Sequence, residues 1–291
     1  GTQRAHAVAQ GCAWAMTIRV MTLDDLRTVL GWAANEGWNP GLDDAEAFHA
    51  ADPQGFLIKA VDGAPVAAIS VVNHDPGFAF LGLYICRPQF RGRGYGMEVW
   101  RAGIAHAGAR SIGLDGVPEQ QENYARSGFE MHSSTVRFEG QITAKADPRV
   151  RPALPADMPT LLARDARACG IDRTGFAATW FAGSAYRQSM VLMDGDDIAG
   201  FATFRRCGQG TKVGPLQAMS GADVEVLLAS NPFAASAQPV IVDVQEHTSP
   251  MASLLRTRGF EPAFETARMF RGRPPAVAPA PFHAIATMEL G

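Results

Sequence analysis

A run of glycines and arginines in the first third of the chain carries the sharpest chemical signal of this sequence. Residues 88–96 read PQFRGRGYG and follow the apolar run FAFLGLYIC at 78–86. Glycines let a backbone approach a ligand closely, and a helix N-terminus offers free N–H groups and the positive end of its dipole. A strand that leads into such a turn and then a helix predicts a pyrophosphate site. The alternative is a tight strand-to-helix turn that needs glycine for geometry alone.

Two common nucleotide motifs do not fit these residues. No Gly-Lys-Ser/Thr triplet follows the glycines, which excludes a Walker A loop. The glycines are out of register for a dinucleotide fingerprint. The pattern R/Q-x-x-G-x-G/A, matched by Arg91, Gly94 and Gly96, instead resembles the pyrophosphate motif of the GNAT superfamily of N-acyltransferases.

This resemblance extends to the order of elements around the motif, over about residues 17–140. The segment 112–118 (IGLDGVP), followed by Tyr124 and Gly128-Phe129, also resembles a bacterial subgroup with a GNAT domain and a C-terminal GNAT-like acetyltransferase domain. The expected fold class is therefore α/β (α+β), with two tandem GNAT-like domains. Each domain is expected to be a mixed, mostly antiparallel twisted sheet flanked by helices.

The resemblance also implies acetyl-CoA as the co-substrate, without a metal. Pantetheine would contact the backbone of Ile85 and Cys86, and the Cys86 N–H would stabilise the developing oxyanion. Cys86 is expected to contribute its backbone and not a nucleophilic thiol, since no His is evidently paired with it. The pyrophosphate would be held by the glycine-rich turn, formed by Arg91, Gly92, Arg93, Gly94, Tyr95 and Gly96.

Tyr124 lies four residues before Gly128. Many GNAT enzymes have at this place the tyrosine that protonates the departing CoA thiolate, a role that suits a phenol. The alternative is a tyrosine that only packs between helix and sheet. Where many members have an Asn near the start of this helix, the sequence has Val117, so Asn123 is the substitute candidate for that pantetheine contact.

The general base is not evident, because the strand 78–86 has no acidic residue. The candidates are His74, Asp75, Asp115, Glu119 and Glu36. In the family, the loop between the first two helices lines the acceptor site, which makes Glu36, Trp38 and Asn39 substrate-binding candidates. The alternative for this loop is a helix stop with a Trp in the core.

An internal repeat organises the whole chain. Arg19 and Asp25 recur as Arg151 and Asp157 at an offset of 132, and Gly-Phe-Glu at 128–130 recurs at an offset of 131. We therefore assign 17–140 to a catalytic GNAT domain and 149–273 to a diverged GNAT-like domain. Residues 1–16 are interpreted as a leader or tag, and the Pro/Ala-rich residues 274–291 as a C-terminal arm.

The second copy is expected to lack the chemistry of the first. Residues 207–223 contain no R-x-x-G-x-G, and Leu255 stands where the first copy has Tyr124. We expect that this half does not bind CoA productively and that it shapes the acceptor pocket or a dimer contact.

Composition excludes several classes of function. The net charge is −3 and there is no basic tract, which argues against nucleic acid as a partner. The four cysteines form no CxxC pair, and no apolar run reaches the roughly 18 residues of a membrane span. A cytoplasmic enzyme is expected, with assembly as a homodimer left open.

The sequence thus predicts an acetyl-CoA-dependent N-acetyltransferase that acts on a primary amine, most simply a small molecule. The alternatives are a CoA-binding sensor without turnover and a protein or peptide N-acetyltransferase. Tyr124 and the intact glycine-rich turn favour an enzyme.

Overall fold

The computed structural model describes residues 17–234 and 238–291, so the expected leader at 1–16 lies outside the described residues. The first copy of the repeat alternates strands and helices as the hydrophobic pattern predicts. Its elements are β1 (Thr17–Val20), α1 (Leu23–Asn35), α2 (Asp44–Ala51), β2 (Phe56–Val61), β3 (Ala64–Asn73), β4 (Phe78–Cys86), α3 (Tyr95–Ala107), β5 (Ser111–Gly116), α4 (Gln121–Arg126) and β6 (Glu130–Gly140).

The second copy has the same order of elements, and one further strand follows it. Its elements are β7 (Val150–Pro152), α5 (Met158–Cys169), α6 (Thr174–Ala182), β8 (Arg187–Asp194), β9 (Asp197–Arg206), β10 (Thr211–Ala218), α7 (Gly221–Ala229), β11 (Val240–Gln245), α8 (Pro250–Thr257) and β12 (Glu261–Arg271), followed by β13 (Phe282–Ala284). No helix in the described part of the chain is long and apolar enough to cross a membrane.

The repeat is visible in the way each copy begins. Arg19 pairs with Asp25 at 2.5 Å, and Arg151 pairs with Asp157 at 2.6 Å. Each carboxylate also accepts the backbone N–H three residues before it, at 2.8 and 2.7 Å. The recurring Arg and Asp therefore tie the first strand of each copy to the start of its first helix.

The described strands form a single sheet in the order β1-β2-β3-β4-β5-β12-β6-β11-β10-β9-β8-β7, with β13 paired to β10. Two neighbouring pairs are parallel, β4 with β5 and β10 with β11, and the others are antiparallel. The predicted mixed, mostly antiparallel sheets are confirmed. The sequence did not reveal that the copies exchange their last strands: β12 lies between β5 and β6, and β6 pairs with β11.

A buried ion pair holds each exchanged strand. Arg268 on β12 contacts Asp115 on β5 through two hydrogen bonds of 2.9 and 2.7 Å. Arg137 on β6 contacts Asp243 on β11 in the same way, at 2.8 and 2.9 Å. The two arginines are 131 residues apart, the offset of the Gly-Phe-Glu repeat. Since all four side chains are almost completely buried, each pair joins one copy to the other.

The two copies also share an apolar core on one face of the sheet. Phe48 on α2 stacks on Trp180 on α6 with their ring centroids 6.3 Å apart, and Phe176 lies 4.9 Å from the same Trp. All three side chains are fully buried. Burial of large aromatic rings is a major stabilising term, so the α1–α2 region is held against α5 and α6.

The end of the chain, which was interpreted as an arm, packs into the middle of the molecule. Residues 284–290 are all buried. Gly82 on β4 lies against the main chain of Glu289, where an added Cβ would come within 2.3 Å of the Glu289 carbonyl oxygen. Arg205 donates to the Ala286 carbonyl at 2.9 Å, and His74 Nε2 lies 2.8 Å from the Leu290 carbonyl. The C-terminal segment is therefore a wall of the site described below.

Candidate active site

The site begins where β4 and β5 diverge. These strands pair in parallel from Phe78 with Ser111 to Leu81 with Leu114, and the pairing ends there. The register of β4 against β3 shifts between the Gly82 and Ile85 positions, and Leu83 adopts a φ of 46°. This irregularity bends β4 away from β5. The wedge-shaped gap between the two strands is called the splay below.

The backbone of Cys86 faces the splay. The next residue, Arg87, donates its N–H to Val66 on β3 at 2.9 Å. Because successive N–H groups of a strand point to opposite edges, the Cys86 N–H points toward the β5 side. Burial raises the pKa of the Cys86 thiol, which keeps it protonated at neutral pH. The predicted role of Cys86 through its backbone stays a prediction that this geometry allows.

The glycine-rich turn (residues 91–96) lies at the end of β4. Gly92 and Gly94 have φ values of 77° and 85°, which residues with a side chain rarely adopt. The first hydrogen bond of α3 runs from the Glu98 N–H to the Gly94 carbonyl at 3.1 Å, and no side chain caps the helix. The N–H groups of residues 95–97 consequently have no acceptor within the helix. The turn has the open N–H groups and room that a pyrophosphate requires.

The two arginines of the turn differ in their surroundings. Arg91 donates to the Cys86 carbonyl and to the Glu36 carboxylate, each at 2.9 Å, and is about half exposed. Arg93 lies over the ring of Phe90, with 5.6 Å between guanidinium and centroid. Glu36, a candidate for binding the ammonium group of the acceptor, thus pairs with Arg91 of the glycine-rich turn. It is not among the residues that line the cavity beside Tyr124.

A small cavity of about 50 Å³ lies at the splay itself, between residues 81–84 of β4 and residues 114–115 of β5. It brings together residues of both copies and of the C-terminal segment. Its walls are formed by Trp38, Leu81, Gly82, Leu83, Tyr84, Leu114, Asp115, Val117, Tyr124, Arg137, Phe264, Thr266, Met288 and Glu289. We call it the acceptor cavity.

Tyr124 is positioned by the short helix α4. Gly128 ends this helix with a φ of 88°, and the Phe129 N–H donates to the Tyr124 carbonyl at 3.1 Å. The ring stacks on Trp100 at 5.8 Å and lies against Gly116, whose added Cβ would come within 3.0 Å of it. Burial raises the pKa of the Tyr124 phenol, so the hydroxyl keeps its proton at neutral pH. The ring packs between helix and sheet, and it also reaches the acceptor cavity.

The second copy holds the Trp38 loop in place. The Trp38 carbonyl accepts hydrogen bonds from Arg137 and Lys212, each at 3.0 Å. Asn39 is bonded in both directions to the backbone of Gln209, at 2.8 and 3.1 Å. Trp38 lines the acceptor cavity, whereas the Asn39 side chain is used to bind the β9–β10 hairpin. The hairpin thus anchors the loop from which Trp38 reaches the cavity.

Most candidates for the general base lie elsewhere. His74, Asp75 and Glu119 do not line the acceptor cavity. The Asp75 carboxylate accepts the Gly77 N–H at 2.7 Å in the β3–β4 turn, and burial lowers the pKa of His74 to about 4. Asp115 does line the cavity, but both of its oxygens are bound by Arg268.

Asn123, the substitute candidate for the pantetheine contact, also lies outside the cavity walls. Its side chain amide donates to Gln120 at 2.9 Å on the exposed face of α4. Its contact with pantetheine stays a prediction.

Several residues of the site were not apparent from the sequence. The Tyr84 ring is tilted against Trp100 with the ring centroids 5.4 Å apart, and its hydroxyl approaches Gly96 at the start of α3. Arg137, Phe264, Thr266, Met288 and Glu289 reach the cavity from exchanged strands or from the end of the chain. For Arg137, the offset of 131 from Arg268 was a signal available in the sequence.

In the second copy, the corresponding splay is filled by the chain itself. The parallel pairing of β10 with β11 ends after Val213, and β13 pairs with β10 from Leu216 to Ala218. Leu255 is buried where the first copy has Tyr124. A cavity of about 360 Å³ lies nearby, between Phe78, Phe270 and the proline-rich residues 274–281, but no glycine-rich turn adjoins it.

The fold and the site together define an acyltransferase of the GNAT type with two such domains in tandem. The sequence profile of the acetyltransferase (GNAT) family matches residues 23–129, and that of an acetyltransferase (GNAT) domain matches 161–279. Holothin acyltransferase from Pseudoalteromonas sp. (strain SANK 73390) is 34% identical over 279 residues, which are 94% of each chain. The chain therefore belongs to the GNAT family of acyltransferases.

Solved structures show the same fold across the chain. A putative acetyltransferase from Pyrococcus horikoshii superimposes with a TM-score of 0.78 at 20% identity, covering 100% of this chain and 99% of that one. A tandem GNAT protein from the clavulanic acid biosynthesis pathway gives a TM-score of 0.61 at 14% identity, covering 88% of this chain and 98% of its own. Both cover the two copies, which confirms the tandem arrangement.

Proposed function

We propose that this protein transfers an acetyl group from acetyl-CoA to the primary amine of a small molecule, in a ternary complex. The observation that carries the proposal is the arrangement of two half-sites on one splay. The open N–H groups of the glycine-rich turn follow the end of β4, and Tyr124 lines the acceptor cavity where β4 and β5 diverge. A thioester that crosses the splay would meet both.

In this proposal the residues of the chain have three tasks. The N–H groups of the glycine-rich turn bind the pyrophosphate, assisted by the charges of Arg91 and Arg93. The Cys86 N–H stabilises the negative charge that develops on the thioester oxygen. Tyr124, which burial keeps protonated, gives its proton to the departing sulfur.

The size and closure of the acceptor cavity favour a small acceptor. Its walls come from the first copy, from β12 of the second copy and from the C-terminal segment. Its volume of about 50 Å³ leaves room for a few atoms next to the reacting carbon. The name of the relative, holothin acyltransferase, makes holothin the first acceptor to test.

A thiol-release assay tests this function. The protein is incubated with acetyl-CoA and a panel that contains holothin, small primary amines and lysine peptides. We expect release only with small amines, with the acetylated product identified by mass spectrometry. Gly94→Glu serves as the control, because its side chain would occupy the phosphate position. Binding of acetyl-CoA without release for any amine would favour a sensor, and release only with peptides would favour a protein acetyltransferase.

A further inference from the structure

The Glu289 carboxylate is the unexplained group of the acceptor cavity. The residue is only 6% exposed, and it lines the cavity together with Tyr124. Its Oε2 atom is buried and has no hydrogen-bond partner in the described part of the protein. A buried carboxylate oxygen without a partner is strongly disfavoured unless something else binds it. The position thus points to a ligand with a positive charge or a donor.

The other charged groups of this cavity are already paired. Asp115 accepts two hydrogen bonds from Arg268 and a third from Thr135 at 2.8 Å. Arg137 is bound by Asp243. Of the carboxylates among the described residues that line the cavity, Glu289 alone has an oxygen left for the acceptor.

Charges from several elements surround Glu289, and a purely structural role must be considered. It interacts electrostatically with Arg137 on β6, Arg205 on β9 and Lys212 on β10. Burial, together with the two arginines, lowers the pKa of Lys212 to about 8, against the smaller opposing effect of Glu289. Three cations, Arg137, Arg205 and Lys212, thus face three carboxylates. These carboxylates are Glu289, Asp243 and Asp44. The cluster is balanced when Glu289 is ionised, so a test must separate a role as a counter-charge from a role in catalysis.

The C-terminal segment holds Glu289 in a defined place. The backbone carbonyl of Glu289 lies against Gly82, and the Leu290 N–H donates to the Thr287 hydroxyl at 2.8 Å. Arg173, which is bound to Asp165, contacts the Gly291 carbonyl. These contacts restrict the backbone on both sides of Glu289, which is what a catalytic group needs.

We propose that Glu289 binds the ammonium group of the acceptor and serves as the general base that deprotonates it. This inference rests on the proposed acetyl transfer. The acceptor loses two protons as its nitrogen forms the C–N bond and the C–S bond breaks. One proton passes to Glu289 and then to water. The departing sulfur takes the Tyr124 proton, which is replaced by the second proton of the nitrogen.

The experiment compares full-length wild type with Glu289→Gln, using the amine that gives the fastest thiol release. At neutral pH we expect kcat/KM to fall about 10²–10⁴-fold, the usual contribution of a general base. The affinity for acetyl-CoA should not change. The deficit should shrink as the pH rises from about 7 to about 10, because the free amine then loses its proton without help. Glu261→Gln, the same change at an exposed site on β12, should behave like wild type.

The pH profile separates catalysis from structure. If Glu289 is only a counter-charge, Glu289→Gln lowers the melting temperature and leaves the shape of the pH profile unchanged, which would overturn the proposal. Normal turnover of Glu289→Gln would overturn it as well. If the amide variant does not fold, Glu289→Asp keeps the charge but withdraws the carboxylate. Reduced turnover at normal stability then supports the proposal, and normal turnover contradicts it. If the wild-type protein acetylates no amine, the proposed acetyl transfer itself is refuted.

Discussion

The exchange of strands between the two copies predicts a large effect of Asp115→Asn on stability. The carboxylate accepts three hydrogen bonds, two from Arg268 at 2.9 and 2.7 Å and one from Thr135 at 2.8 Å. The Arg268 side chain is only 9% exposed, and its guanidinium lies 5.0 Å from the ring centre of Phe80. Removing one partner of such a buried pair costs about 3–5 kcal/mol of unfolding free energy.

The assay is equilibrium unfolding in urea, followed by both fluorescence and circular dichroism. Asp147→Asn breaks an exposed pair with Arg149 and is the matched control, with little expected loss of unfolding free energy. Since β12 lies between β5 and β6, both copies should unfold in one transition. Adding Arg268→Met to Asp115→Asn should recover much of the loss, because no unpaired charge is then left buried. A loss below about 1 kcal/mol for Asp115→Asn, or two separate transitions in the wild type, would refute the reasoning.

Four further predictions concern binding, catalysis, pH and the chain end. Calorimetry should give one acetyl-CoA per chain, because β13 fills the second splay, and Gly94→Glu should abolish this binding. Two equivalent sites per chain would contradict the prediction. Tyr124→Phe should keep the affinity for acetyl-CoA but lower kcat about 10²–10⁴-fold, and unchanged turnover would leave Tyr124 a packing role. Burial lowers the pKa of His74 and His283 to about 4, below the unfolded value, so stability should fall as the pH is lowered from 7 toward 4. His74→Gln should weaken this dependence in melting curves, and an identical dependence would argue against it. A chain ended at Arg149 lacks β12, so we expect no folded soluble monomer by gel filtration.

The sequence predicted the elements well because each depends on nearby residues. The apolar run at 78–86 that precedes the glycine-rich turn has the same bounds as β4 in the structure. Thr22 caps α1, with its hydroxyl accepting the Asp25 N–H at 3.1 Å. The glycine-rich turn was recognisable because its proposed chemistry uses backbone groups. The conformation of that backbone depends on the glycines themselves, which are visible in the local sequence.

The residues of the acceptor cavity could not be predicted from the sequence in the same way. Candidates close to Tyr124 in the sequence, such as Glu119 and Asn123, do not line the cavity. Glu289 lies 165 residues after Tyr124, and it reaches the cavity through the C-terminal segment. Nothing in the local pattern around residues 284–290 shows which strand they cover. Pairing of distant strands depends on the summed fit of many side chains, which a single sequence does not display.

By itself, therefore, the sequence determined the repeat, the order of helices and strands, the family and the glycine-rich turn. Each of these follows from residues close together in the chain, through periodicity, capping and the conformational freedom of glycine. Only the tertiary structure decided that the last strands are exchanged, that β13 closes the second splay, and that the chain end walls the acceptor cavity. The reason is physical: buried pairs such as Arg137 with Asp243 become favourable only when the whole sheet has assembled and excluded water around them.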